Sequence, residues 1–210
     1  KGSHPIIEDI LAYRELQKLL STYIDTIPKL LDSEDRLHTS YIQTGTTTGR
    51  LSSKDPNLQN IPVKTALGRA IRNAFVARPG NSLVSFDYSQ IELRIAAILS
   101  GDSELIGIFK SGRDVHTEVA SRVFRGHGTQ GAYEARRKAK VINFGILYGM
   151  GVNALKEALG TTRAEAQEYY NEYFETFPQL ASYLDDVKAQ AARVGYTETL
   201  FGRRRYFSAI

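Results

Sequence analysis

The apolar pattern of this 210-residue chain changes character near one point, and that change constrains the fold more than any other feature. Ahead of Asp87 the apolar residues come largely in short runs broken by turn-forming stretches. Residues 36–44 (RLHTSYIQT) read as a short strand, and 69–87 (RAIRNAFVARPGNSLVSFD) offers two strand-like runs on either side of the turn signal Pro79-Gly80-Asn81. Between them runs a polar, turn-rich connection, 45–62 (GTTTGRLSSKDPNLQNIP), of a length that usually marks a functional or a disordered loop. From Tyr88 onward the spacing turns helical. Ile91, Ile95, Ile98 and Leu99 form one stripe that stops at Gly101. The pattern predicts short helices within 102–124, a Gly-rich break at 125–131 (RGHGTQG), and helices across 133–148, 151–159, 162–175 and 178–194. A hairpin follows at 195–207, with its turn near Gly202. One further helical stretch, 5–24, precedes the strands, with Ile6, Ile10, Leu11, Leu16, Leu19 and Leu20 in helical register. Pro28 and the acidic Asp32–Asp35 segment close it. The expected class is α+β: helices, then a small sheet, then a helical lobe.

Composition narrows the function classes. No apolar run approaches the roughly 20 residues that span a bilayer, and no secretory h-region is present, so no membrane role is expected. The absence of cysteine removes disulfide frameworks and thiolate metal sites and fits a reducing compartment. A net charge of +4 favours a polyanionic partner weakly, and its distribution says more. Arg122, Arg125, Arg136, Arg137, Lys138 and Lys140 crowd one region, and Arg203, Arg204 and Arg205 another. Lys1-Gly2-Ser3 resembles an expression scar and carries no weight here.

Two stretches carry chemistry. In RRKAKVINFGILYG (136–149), at 100° per residue, Arg136, Lys140, Phe144 and Tyr148 fall on one arc, with Arg137 inside it and Asn143 at its edge. Ala139, Ile142 and Ile146 share another face, which should pack inward. Two cations and two aromatics thus span about 18 Å of one surface at about 1.5 Å per residue. A nucleotide asks for that arrangement, cations for its phosphates and an aromatic plane for its base. Spacing alone also admits an ordinary amphipathic helix with a basic, aromatic solvent face. Gly145 would allow close approach opposite the aromatic end, and Gly149 is a C-terminal stop signal. The second stretch is SFDYSQIELR (85–94), where an apolar run delivers Asp87 at the point a strand should give way to a helix. Ser89-Gln90-Ile91-Glu92 has the S-x-x-E form of a capping box, with Ser89 as N-cap and Glu92 at the third helical position. The box explains Glu92 but not Asp87 and Tyr88. A carboxylate there, facing a phosphate-binding helix, could hold Mg²⁺, which takes oxygen ligands and shares its shell with substrate phosphates.

Taken together, DYSQIELR (87–94) and RRKAKVINFGILYG (136–149) resemble the first two signature motifs of the family A DNA polymerases, the bacterial DNA polymerase I type. TGRLSSKDPNLQNIP (48–62), GRDVHTEVA (112–120) and TLFGRRRY (199–206) resemble that family as well, in its order and spacing, and the likeness runs from His4 onward. The least family-like segment is RGHGTQGAYEA (125–135). The resemblance implies part of a right-hand polymerase domain: thumb-derived helices in 1–35, a partial palm with a small antiparallel sheet in 36–115, and mainly helical fingers in 116–210. It implies template-directed DNA synthesis, with dNTPs added to a primer 3′-hydroxyl by a mechanism using two Mg²⁺ ions. Asp87 and the Tyr88 carbonyl would be metal ligands. His116, Arg136 and Lys140 would grip the phosphates of the dNTP, the two cations counting among the catalytic groups with Asp87. Phe144 would stack near sugar and base, Tyr148 would sit by the templating position, and Gln90 would join the nucleotide contacts. Glu92 would be a steric gate against a ribose 2′-hydroxyl. Arg50, Asn57, Asn60 and Arg137 would touch the primer–template duplex. The implied location is the cytoplasm of a bacterial or phage-infected cell, in association with the nucleoid.

The family's third motif supplies further acidic residues, and no HDE-like stretch occurs in this sequence. The expectation is therefore an incomplete active site, finished by residues beyond Ile210 or by a second chain. The alternative is a DNA- and nucleotide-binding fragment, or half of a split polymerase, without catalysis of its own.

Overall fold

The computed structural model describes residues 4–63, 65–124 and 131–207, so Arg125 and most of the expected Gly-rich break lie outside the described residues. The chain divides into two compact units, one up to Phe86 and one from Asp87 onward.

In the first unit, α1 (Ile6–Leu19) continues into a single wider helical turn over Leu20–Ile24. Tyr23 is buried and donates its hydroxyl to the main-chain carbonyl of Asn60 (2.5 Å). Strand β1 (Ser40–Ile42) pairs antiparallel with β2 (Ser52–Lys54), Tyr41 facing Ser53. The stretch expected as an irregular loop therefore contains the second strand of a hairpin, and a short 3₁₀ turn at Leu58–Asn60. Polar residues hide this strand from a hydrophobicity reading, because the ladder is made by backbone groups.

The expected strand at the start of 69–87 is instead the end of helix α2 (Ala66–Asn73). Thr65 caps it, its hydroxyl accepting from the Gly68 amide (3.2 Å). A Cβ on Gly68 would lie 2.8 Å from the Pro62 side chain, so this turn packs only around a glycine. The Pro79-Gly80 turn forms as expected, closed by Asn81 N–H donating to the Arg78 carbonyl (2.9 Å) with Gly80 at φ +81°. The apolar run that follows has no regular secondary structure and joins no ladder among the described residues, and Phe86 is 93% exposed. Apolar alternation marks a segment suited to a strand; the strand itself needs a hydrogen-bonded neighbour.

The second unit is built from α3 (Ile91–Ser100), α4 (Ser103–Lys110), α5 (Val115–Val123), α6 (Ala132–Leu147), α7 (Val152–Leu159), α8 (Arg163–Thr176) and α9 (Pro178–Val194). These match the helical periods read from sequence to within a residue or two. Leu93, Leu105, Ile108, Val115, Ile142, Leu155, Tyr173 and Phe177 form its buried core. The hairpin β3 (Tyr196–Glu198) and β4 (Arg204–Tyr206) closes the unit, turning at Gly202. Of the arginine run there, Arg204 is engaged within the hairpin: it pairs with Glu198 (2.6 Å) and lies over the Tyr196 ring (4.6 Å). No helix among the described residues is long and apolar enough to cross a membrane.

Local geometry is decided at three helix starts. The box expected at Ser89–Glu92 does not form. Gln90 is the N-cap of α3, in the left-handed region at φ +50°, and makes no side-chain cap bond. A box with Ser89 as N-cap needs Gln90 to be the first helical residue, which its left-handed backbone excludes. A capping box does form at Thr162 and Glu165 on α8, each side chain bonding the other's backbone. At the start of α4, Asp102 is wholly buried, accepting from the Leu105 amide (3.0 Å) and, across the unit, from the Leu180 amide at the start of α9 (3.3 Å). Asp102→Ala removes both acceptors and strands two buried amides. It should destabilise the fold by about 2–4 kcal/mol, read by chemical denaturation. A change below about 0.5 kcal/mol would show that the carboxylate does not tie these helices together.

Candidate functional site

Helix α6 has the predicted division of faces. Ala139, Ile142 and Ile146 are buried in the core, while Arg136, Lys140 and Tyr148 stay exposed and Phe144 half-buried. Its end is a Schellman motif. Gly149 sits at φ +81°, its amide donating to Ile146 (2.9 Å), and the Met150 amide reaches back to Gly145 (2.8 Å). A Cβ on Gly145 would stand 2.8 Å from the Met150 sulfur, so a larger residue there would have to displace that flexible side chain. Asn143, placed by spacing at the edge of the arc, is wholly buried.

Helix α5 packs against α6, and its first turn is organised by Asp114. The carboxylate caps α5 through the Thr117 amide (2.9 Å) and hydroxyl (2.7 Å). The same carboxylate takes a two-pronged bond from Arg136, at 2.8 Å from Nε and 3.2 Å from Nη2, and a longer one from the side-chain Nε2 of Gln90 at the start of α3 (3.4 Å). One acid thus gathers the starts of α3 and α5 against the first half of α6. Burial works against its charge, but the Arg136 guanidinium and the Thr117 donors outweigh burial and hold the carboxyl at about 2.

Two residues beyond that cap, His116 is 2% exposed. Its Nδ1 lies 3.0 Å from the Asn143 amide nitrogen, and its ring centroid is 5.6 Å from that of Phe144. Burial pushes the imidazole below its ordinary value; Arg136 and Lys140 act in the same direction and Asp114 against them. Lys140 has no ion-pair partner among the described residues. Arg137 is held in a two-pronged pair by Glu134 (2.6 and 2.9 Å). The Tyr148 hydroxyl donates to Glu92 across from α3 (3.3 Å), which ties the start of α3 to the end of α6.

Gln90, Glu92, His116, Arg136, Phe144 and Tyr148 are thereby linked by contacts within one unit, with Lys140 on the same helix. Asp87 and Tyr88 are exposed at the start of the same unit in sequence. Among the described residues no three His, Asp or Glu side chains are grouped to hold a metal. The donors at 87 and 88 are of the right kind for a hard cation, a carboxylate and a carbonyl, but among the described residues no group of three acidic or histidine side chains joins them. Arg50, Asn57 and Asn60 belong to the first unit. Asn57 uses its side-chain oxygen locally, accepting from the Gln59 amide (3.1 Å) and the Ser53 hydroxyl (3.1 Å). Sequence reasoning assigned no role to Asp114 and Asn143. Asp114 carried a usable signal, an Asp three residues before Thr117 at the start of an apolar-periodic run, which is an N-cap pattern. Asn143 carried none, since only the packing of α5 gives it a partner.

Such a surface can bind a polyphosphate through guanidinium and ammonium groups beside an aromatic ring. A model of the family described as "DNA polymerase family A" matches residues 1–210. DNA polymerase I, thermostable, of Thermus aquaticus is 54% identical over 207 residues, which is 98% of this chain and 25% of that protein. DNA polymerase I of Chloroflexus aurantiacus is 49% identical over 96% of this chain and 22% of its own length. The chain thus spans about a quarter of the curated relatives it matches. A solved structure, the POL domain of Pol1 from M. smegmatis in complex with DNA primer-template and dNTP, superposes with a TM-score of 0.82 at 41% identity, covering 99% of this chain and 36% of that one.

The Asp114–Arg136 pair has a measurable signature. Its carboxyl is held below the ordinary 3.8, so the stability it contributes is fully present above that value and is lost as pH falls through about 2. A carboxyl-carbon NMR titration should find Asp114 with a midpoint near 2, moving upward in Arg136→Ala. A midpoint at the ordinary value in both proteins would dissolve the pair.

Proposed function

Because the chain belongs to DNA polymerase family A, we propose that it carries the nucleotide-binding surface and part of the metal site of a DNA-directed DNA polymerase, which adds dNTPs to the 3′-hydroxyl of a primer paired with a template. The observation that carries this reading is α6, where Arg136 and Lys140 share an exposed arc with Tyr148 and the half-buried Phe144 in a chain matched end to end by the family. Arg136, Lys140 and His116 bind the triphosphate, and a guanidinium already poised for two-pronged bonds to an acid suits a phosphate as well. Phe144 stacks against sugar and base. Tyr148 guards the templating position, and its hydrogen bond holds Glu92 where a ribose 2′-hydroxyl would collide with the carboxylate. In this reading the Arg50, Asn57, Asn60 and Arg137 side chains line the primer–template duplex. The thumb, palm and fingers fall in 1–35, 36–115 and 116–210.

Asp87 and the Tyr88 carbonyl would hold Mg²⁺, two ions in the full site, which supply Lewis-acid activation of the primer hydroxyl and charge neutralisation at the leaving pyrophosphate. Beside this one carboxylate, we place the remaining acidic ligands elsewhere in the polypeptide or on a second chain. Without them the chain binds DNA and nucleotide but does not polymerise. The setting consistent with these partners is the bacterial or phage-infected cytoplasm, at the nucleoid.

Three experiments test the proposal. In the full-length polypeptide, Arg136→Ala or Lys140→Ala should lower kcat/KM for dNTP by about 1.5–3 kcal/mol in transition-state terms, leaving duplex affinity unchanged. Lost DNA binding with normal dNTP kinetics would overturn the assignment. Glu92→Ala should raise ribonucleotide incorporation, and unchanged sugar discrimination would remove the gate role. The 210-residue chain alone should bind duplex with log K falling by about 0.9 per neutralised phosphate against log salt, and should extend no primer with Mg²⁺. Primer extension by this chain alone would disprove the need for further carboxylates.

A further inference from the structure

Asn143 is wholly buried in the middle of the nucleotide helix, a position where an apolar side chain would ordinarily pack. Its one polar contact is to His116 on α5, amide nitrogen to Nδ1 at 3.0 Å, and its Oδ1 has no partner among the described residues. A buried amide with half its capacity unmet has a cost, and its retention points to what the other half does. An amide NH₂ can only donate, so Nδ1 of His116 must accept. A neutral imidazole has one proton, which then resides on Nε2. The opposite pairing, Oδ1 accepting from a protonated Nδ1, would leave Nε2 a bare acceptor that repels a phosphate oxygen.

Resting on the reading of His116 as a phosphate ligand, we propose that Asn143 is the positioning residue that locks His116 into the Nε2–H tautomer, so that the ring can meet a nucleotide phosphate only as a hydrogen-bond donor. The surroundings fit a neutral donor. The charged groups whose fields reach the ring are Asp114, Arg136 and Lys140, and the two cations together with burial favour the uncharged form. Phe144, next in sequence to Asn143, packs against the ring at an interplanar angle of 50°, so one pair of adjacent residues on α6 sets both its tautomer and its tilt. The phosphate charge is then met by Arg136 and Lys140, while His116 contributes direction as an uncharged donor.

The test is ring-¹⁵N NMR of the 210-residue chain, whose four histidines are resolved by the signals lost in His116→Ala. In the parent chain the neutral ring of His116 should carry its proton on Nε2. Asn143→Leu should release the ring into a mixture of tautomers. Asn143→Asp, which keeps the shape, should raise the His116 pKa and make the ring cationic near neutral pH, with Nδ1–H donating to the new carboxylate. An Nδ1–H tautomer in the parent chain, or tautomer and titration unchanged in both variants, overturns the proposal. Addition of dTTP with Mg²⁺ supplies the separate arm. The Nε2 resonance should shift, and the dTTP dissociation constant should rise about three- to tenfold in Asn143→Leu, the worth of one hydrogen bond. A locked tautomer with an Nε2 signal indifferent to dTTP would keep the role of Asn143 and discard His116 as a phosphate ligand.

Discussion

The carboxylate of Asp114 is where the candidate site is held together. It ends α5 with a cap, grips Arg136 on α6 with two bonds, and reaches Gln90 where α3 begins. Each of these helices brings at least one of the residues that face the proposed nucleotide. Without this acid the first turn of α5 would lose its acceptor, and the guanidinium of Arg136 would be free to sample other rotamers. Arg136 is thus ordered by a carboxylate of the protein in the absence of ligand. A phosphate would have to take over bonds that already exist, which reduces the entropy lost on binding.

A second, apolar layer lies beneath that polar clasp. Val115, Val119, Ala139 and Ile142 are completely buried, so α5 and α6 meet along a dry seam. His116 and Asn143 are the polar exception in it. Buried polar pairs contribute little net stability, yet they penalise every arrangement that breaks them. The seam therefore fixes the distance between the helices, and the His116–Asn143 contact fixes how one ring is turned. Tyr148 and Glu92 do the same at the far end of α6, with an exposed bond in place of a buried one.

The helices of the second unit were legible because an amphipathic helix writes its period into the sequence, and Gly101, Gly149 and Gly202 stop their elements where expected. The two-faced character of α6 was legible for the same reason. What escaped were features set by backbone or partner. β2 is polar and declares itself only by pairing with β1. The run ending at Phe86 has the composition of a strand and joins no ladder among the described residues. Ser89 to Glu92 spells a capping box, but the left-handed turn at Gln90 removes the geometry a box requires. The box that exists, at Thr162, is read from the same rule applied to a different helix start.

What this sequence determined by itself is the set of chemical groups and their order along one helix: cations near the start of α6, aromatics near its end, and one acid ahead of α3. Local periodicity is enough for that, since residues a turn apart share a face whatever lies around them. The tertiary structure alone decided which groups touch. Asp114 and Arg136 are 22 positions apart, His116 and Asn143 are 27, and Tyr148 and Glu92 are 56. Contacts at such separations depend on how helices pack, and packing is a property of the whole core, for which no single stretch of sequence carries the instruction.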